Sequence, residues 1–152
     1  MPVRYNINSE LGIIFIFCEG LVSDVEYFKA VKNMYLDKSY HSGMHRIVDF
    51  FSASEDISSL EGIRSVIKFR EETTEEKDLQ LEHIIVLSYS KGVSLFVNAI
   101  NDIIVNAKMK YEAASSLEEA ITLLGFQDRK QEIIDFYSRS KYQAEPANRS
   151  KN

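Results

Sequence analysis

The run Ile47-Val48-Asp49-Phe50-Phe51, together with the twenty residues after it, constrains this chain more than any other stretch. A serine-rich segment, Ser52 to Ser59, comes next. Leu60, Ile63, Val66 and Ile67 then lead to Arg70 at helical spacing. A short apolar run has the length of a buried strand, and steps of three and four belong to one helical face. Strand, loop and helix together make half of a crossover unit. Sites in such folds gather where strand ends meet helix N-termini, so the junction after Phe51 is the first place to expect one.

The same alternation runs through the chain. Val3, Tyr5 and Ile7 alternate with Arg4, Asn6 and Asn8, as in a half-buried strand. After the turn Ser9-Glu10-Leu11-Gly12, Ile13 to Cys18 is apolar without a break, as in a strand covered on both faces. Ser23-Asp24-Val25-Glu26 is a capping box that starts a helix with Val25, Phe28, Val31, Met34 and Tyr35 on its apolar face. Arg46 to Phe51 is the next strand. Ser58-Ser59-Leu60-Glu61 repeats the cap and opens a helix to about Arg70 or a few residues further. Glu71 to Glu82 is charged and aperiodic, a frayed helix end or an exposed loop.

His83 to Leu87 is a strand, and Ser88 to Gly92 a turn. Val93, Phe96, Val97, Ile100, Ile103 and Ile104 form the clearest helical stripe. Met109 to Ala113 reads as an edge strand. Ser115-Ser116 starts a short helix that Gly125 ends, and Asp128 to Tyr137 is one more helix. The order β-β-α-β-α-β-α-β-α plus a C-terminal helix predicts an α/β fold. Its sheet is mixed and mostly parallel, flanked by helices, with the first hairpin strand antiparallel. The expected organisation is one domain over 1–126, an additional helix over 127–141 and a disordered tail over 142–152.

A net charge of −5 and a pI near 5.3 argue against a nucleic-acid partner, because neutralising phosphates takes clustered Lys and Arg. The single cysteine, Cys18, has no internal partner and reads as a buried small hydrophobe. No apolar run approaches the ~20 residues of a membrane span, and no charged-then-apolar leader opens the chain, so a cytoplasmic protein is expected. His41 and His45 lie four apart with Gly43 between them and no third ligand nearby, so neither a metal nor a cofactor is assigned.

In element order the chain resembles the STAS, or anti-sigma-factor-antagonist, domains, and more closely their divergent bacterial STAS/SEC14-like relatives. The resemblance covers about Val3 to Leu124. It rests on the hairpin that ends in Ile13-Ile14-Phe15-Ile16-Phe17-Cys18-Glu19-Gly20, on Arg46-Ile47-Val48-Asp49 and on the loop entering the second helix. In the family that loop carries an Asp-Ser-Ser/Ala-Gly-Leu-Gly-type motif with a regulatory phosphoserine. Here it reads Asp56-Ile57-Ser58-Ser59-Leu60-Glu61-Gly62, with Ile57 added and no glycine after the serines. The resemblance implies a STAS-like fold. It also implies a protein partner, such as a kinase or a sigma-factor regulator, meeting Asp56, Ser58, Ser59 and Leu60.

Each candidate has a plainer reading beside it. Ser58 and Ser59 would accept phosphate at a helix N-terminus, or Ser58 is simply an N-cap. Asp49, Ser54, Ser88, Ser90, Lys91 and Gly92 would crowd one rim of a parallel sheet and cradle a small anion or headgroup; otherwise the serines are ordinary turn and cap residues. Asp49 is a catalytic acid or, more simply, a buried carboxylate bonded by loop amides. Ile133, Ile134, Phe136 and Tyr137 would pair with a second copy in a homodimer, or pack on the chain's own sheet. The first expectation is therefore a non-enzymatic regulatory or protein-interaction domain. The second is a SEC14-like binding module for a small apolar or anionic ligand.

Overall fold

A computed structural model describes residues 2–53, 60–74, 78–103 and 108–142. The strands are β1 (Val3–Asn8), β2 (Ile13–Gly20), β3 (His45–Ala53), β4 (Glu82–Leu87) and β5 (Met109–Ala114). The helices are α1 (Asp24–Leu36), α2 (Leu60–Thr73), α3 (Lys91–Ile103), α4 (Leu117–Leu124) and α5 (Lys130–Tyr142). The expected α/β order and the extra C-terminal helix are both present. The expected tail, 142–152, lies outside the described residues except for Tyr142, the last residue of α5.

The strands stand in the order β1-β2-β3-β4-β5. β1 is antiparallel to β2, and every later pair is parallel. Right-handed crossovers in an order that never reverses return each connecting helix to the same face. Accordingly α1, α2 and α3 share a core with Ile14, Ile16, Cys18, Val48, Ile84 and Val86. α4 and α5 cover Ile13, Phe15, Phe17, Ile47, Ile85 and Leu87 on the opposite face. The unbroken apolar run of β2 is the period-two consequence, since a strand covered on both sides has no solvent face to keep polar.

Local chemistry sets the boundaries. Ser23 and Glu26 form the expected capping box, and Gly125 ends α4 with φ of 77°, in the left-handed region that favours glycine. One expected face is corrected. The buried residues of α1 are Tyr27, Ala30, Val31, Met34 and Tyr35, whereas Val25 is 77% exposed. Val25 lies in the first turn, and the inward stripe starts two residues later at Tyr27. The stretch from Glu71 to Glu82 begins as the expected helix end and is corrected at its far end. α2 runs to Thr73, and Glu82 is a buried strand residue rather than part of an exposed loop.

α5 packs on the chain's own sheet. Ile133 and Phe136 are buried there, and the Phe15 ring meets those of Phe136 and Tyr137 at 5.4 and 5.1 Å. The apolar face that would serve a homodimer through this helix is thereby occupied by its own domain. Among the described residues, no helix is long and apolar enough to cross a membrane.

Candidate functional site

Parallel pairing carries the connections after β2, β4 and β5 to one rim, together with the end of β3 at Ala53. Of the expected candidates, Ser88, Ser90, Lys91 and Gly92 lie there, where β4 leads into α3. Ser54, Asp56, Ser58 and Ser59 lie outside the described residues, and the backbone of Leu60 opens α2. Asp49 pairs with Leu87 across β3 and β4, one residue before Ser88, so the structure brings Asp49 and the β4–α3 turn together.

Among the described residues, the hydroxyls of Ser88, Ser90 and Ser116 each accept a local backbone N–H. Ser88 Oγ accepts the Ser90 N–H at 3.0 Å, and Ser90 Oγ accepts the Gly92 N–H at 3.2 Å. Lys91 and Gly92 are exposed in the first turn of α3. Ser116 Oγ caps α4 through the Glu119 N–H at 3.1 Å, while Glu119 accepts the Ser115 N–H at 2.8 Å. These are the turn and cap bonds that serine supplies wherever a chain changes direction.

Asp49 is the one acid in the interior of β3, and its side chain points toward α5. Oδ1 accepts the Phe51 N–H at 2.8 Å. Oδ2 accepts the Tyr137 hydroxyl at 2.6 Å and the Lys141 ammonium at 2.8 Å. Lys141 also donates to the Tyr137 oxygen at 3.1 Å and lies near the rings of Phe51, Tyr137 and Tyr142. Burial, and then the bond to Asp49, push the Tyr137 phenol up to about 12. Burial works against the Lys141 charge, but the hydrogen bonds to Asp49 and Tyr137 outweigh it and hold the ammonium well above the usual lysine range. Both groups keep their protons at neutral pH. A general base or nucleophile needs the opposite tuning, toward a pKa near the working pH. The arrangement suits fastening better than proton transfer.

On the same side Arg4 caps the end of α5, donating to the Ser140 carbonyl at 2.7 Å and the Lys141 carbonyl at 3.1 Å. Asn6 donates to the Ser140 hydroxyl at 2.7 Å. β1 and β3 thus hold the last turn of α5 from either side of β2.

A second polar centre is one that the sequence reading missed. Arg46, Arg70 and Glu82 are each 1% exposed, on the face covered by α1, α2 and α3. Glu82 accepts the Tyr35 hydroxyl at 2.9 Å, and Tyr40 donates to its other oxygen. Arg46 donates to the Tyr35 oxygen at 2.8 Å, and Arg70 to the Gln80 carbonyl at 2.6 Å. The guanidiniums stand 3.8 and 3.4 Å from the Glu82 carboxylate. A signal was available in the alternation: Arg46 shares parity with inward Val48, and Glu82 with Ile84 and Val86. At the same end of the sheet, on the α4 side, His45 Nδ1 accepts the His83 N–H at 3.0 Å, and His83 Nε2 meets Glu112 at 2.6 Å. Among the described residues, no three His, Cys, Asp or Glu side chains group so as to hold a metal ion.

The rim carries one more feature. Leu21 is 72% exposed and Val25 77%, beside the β2–α1 connection; Tyr89, in the β4–α3 turn, is 78% exposed and stacks on Phe51 at 4.5 Å. The three stand on either side of the end of β3. In open α/β sheets a ligand crevice forms where the strand order reverses. This order does not reverse, so the rim lacks the topological cause of such a crevice. The chain matches no protein-family model, and no curated protein matches it.

Proposed function

We propose that this protein is a non-enzymatic, STAS-like regulatory or protein-interaction domain that meets a protein partner at the rim formed by the carboxyl ends of its parallel strands. The observation that carries the reading is the exposure of Leu21 and Tyr89 on the connections flanking the end of β3, and of Val25 in the first turn of α1. Large apolar side chains gathered at one end of a sheet mark contact surfaces when they are grouped. The antiparallel β1–β2 hairpin followed by parallel β-α units supports the family part of the proposal. The saturated bonding of Asp49 supports the non-enzymatic part.

The test is affinity capture with the full chain. Wild type is expected to retain a specific partner that Leu21→Asp and Tyr89→Asp lose. Leu36→Asp, at the opposite end of α1, is expected to keep it, because Leu36 is an equally apolar exposed residue away from the rim. Equal capture by all four proteins would refute the rim as the contact. A small molecule retained by wild type in native mass spectrometry, with no protein partner, would favour the ligand-binding alternative.

A further inference from the structure

We propose that the outer edge of β5 is a strand-docking surface held shut by Asn101, and that its occupant, once Asn101 is displaced, is β5 of a second copy of this chain. The surface is separate from the rim and independent of the partner proposed there.

The hydrogen-bond parity of β5 is fixed at both ends. The Glu82 N–H donates to the Lys108 carbonyl and the Ser88 N–H to the Ala114 carbonyl, each at 3.0 Å. In a parallel ladder, alternate residues turn their backbone groups to the same neighbour. The even-numbered residues of β5 therefore serve β4, and Met109, Tyr111 and Ala113 turn their N–H and C=O groups outward. At the centre of that outward row, Asn101 of α3 makes two bonds to one residue. Its Oδ1 accepts the Tyr111 N–H at 2.9 Å, and its Nδ2 donates to the Tyr111 carbonyl at 2.6 Å. A donor and an acceptor presented together to one residue are what a neighbouring strand would offer. Among the described residues, no other side chain bonds the outward groups of β5. An open edge is a template for pairing, and folded chains block such edges deliberately.

The sequence of β5 selects the occupant. In an antiparallel pair centred on Tyr111, each residue before the centre faces the residue equally far beyond it in the other copy. Lys110 then faces Glu112 of the second copy, Glu112 faces its Lys110, and Met109 faces its Ala113. Opposite charges directly across a ladder favour pairing, and the Glu112 carboxylate, which already meets Lys110 and His83 of its own chain at 3.3 and 2.6 Å, gains a second lysine there. The two Tyr111 residues form the hydrogen-bonded pair, exchanging the same two bonds that Asn101 makes now. An unrelated peptide has no built-in match to the Lys110–Glu112 order.

The experiment is mass measurement by light scattering during gel filtration of the full chain over a range of concentrations. Wild type is expected at monomer mass. Asn101→Ala is expected to move to twice that mass as concentration rises. Asn101→Asp keeps the size and the acceptor but loses the donor; it is expected to move the same way and carries the test if Asn101→Ala fails to fold. Adding Ala113→Pro to either variant removes an outward N–H without touching the bonds to β4, and is expected to restore the monomer. Monomers for both Asn101 variants, association that survives Ala113→Pro, or a wild type already dimeric through this edge would each overturn the proposal.

Discussion

Asp49 and Lys141 meet at 2.8 Å although 92 residues separate them in the chain. With Tyr137 and the Arg4 cap, this contact fixes the last turn of α5 against the sheet. Removing one partner of a buried pair leaves the other charge without compensation, which costs far more than the pair contributes net. Asp49→Ala is expected to lower stability by about 3 kcal/mol. Urea unfolding measures the loss, and hydrogen exchange should show α5 losing protection before α1. Uniform loss across both helices would contradict a local anchor.

Glu82 is expected to be the more sensitive position. Its carboxylate faces two buried guanidiniums and accepts two tyrosine hydroxyls. Glu82→Ala should cost about 3–5 kcal/mol, the range for breaking a buried ion pair. Glu82→Gln keeps the shape and an acceptor, and should recover part of that. Denaturant midpoints of the two variants decide the point; equal midpoints would mean that the charge is immaterial.

His45 gives a pH dependence of defined sign. Burial first, and then the neighbouring His83, lower its pKa from the ordinary histidine value. Below about 6.5 the unfolded chain therefore binds a proton that the folded protein resists, so the unfolded state binds more protons and stability falls with falling pH. The fall should begin near pH 7 and level off once the folded imidazole is also protonated. His45→Asn retains an acceptor for the His83 N–H and should flatten the profile in that window. Thermal melts from pH 7 to 5 measure it, and an unchanged slope would exclude His45 as the cause.

Gly125 tests the cap of α4. Its φ is 77° and an added Cβ would meet nothing within 4 Å, so backbone strain is the only penalty for alanine. Gly125→Ala should cost about 1 kcal/mol through the left-handed conformation alone. A melting temperature equal to wild type would show that the helix end relaxes.

The strands, the helix order and two of the caps were legible because period two, period three to four, and Ser-x-x-Glu are local signals. What escaped was tertiary. Val25 carries the right chemistry for the α1 core, but Tyr27 is buried in its place, and only the helix's rotation on the sheet settles which faces inward. Asp49 was legible as a buried acid needing partners. Two of its three donors, Tyr137 and Lys141, come from the far end of the chain, so no local window contains them. Glu82 lay within a charged stretch that looked solvated, and its burial depends on Arg46 and Arg70 arriving from other elements. Of the serines expected at the rim, Ser54, Ser58 and Ser59 lie outside the described residues, and the hydroxyls of Ser88, Ser90 and Ser116 accept backbone N–H groups of their own turns and caps.

Each strand of this sheet bonds only to strands next to it in sequence. During synthesis the sheet can grow outward unit by unit, every β-α segment finding its ladder already waiting. α5 departs from that order, because Arg4 can donate to the Ser140 and Lys141 carbonyls only after all five strands have been made. The fastening of α5 onto β1 thus has to wait until every strand of this sheet has been made.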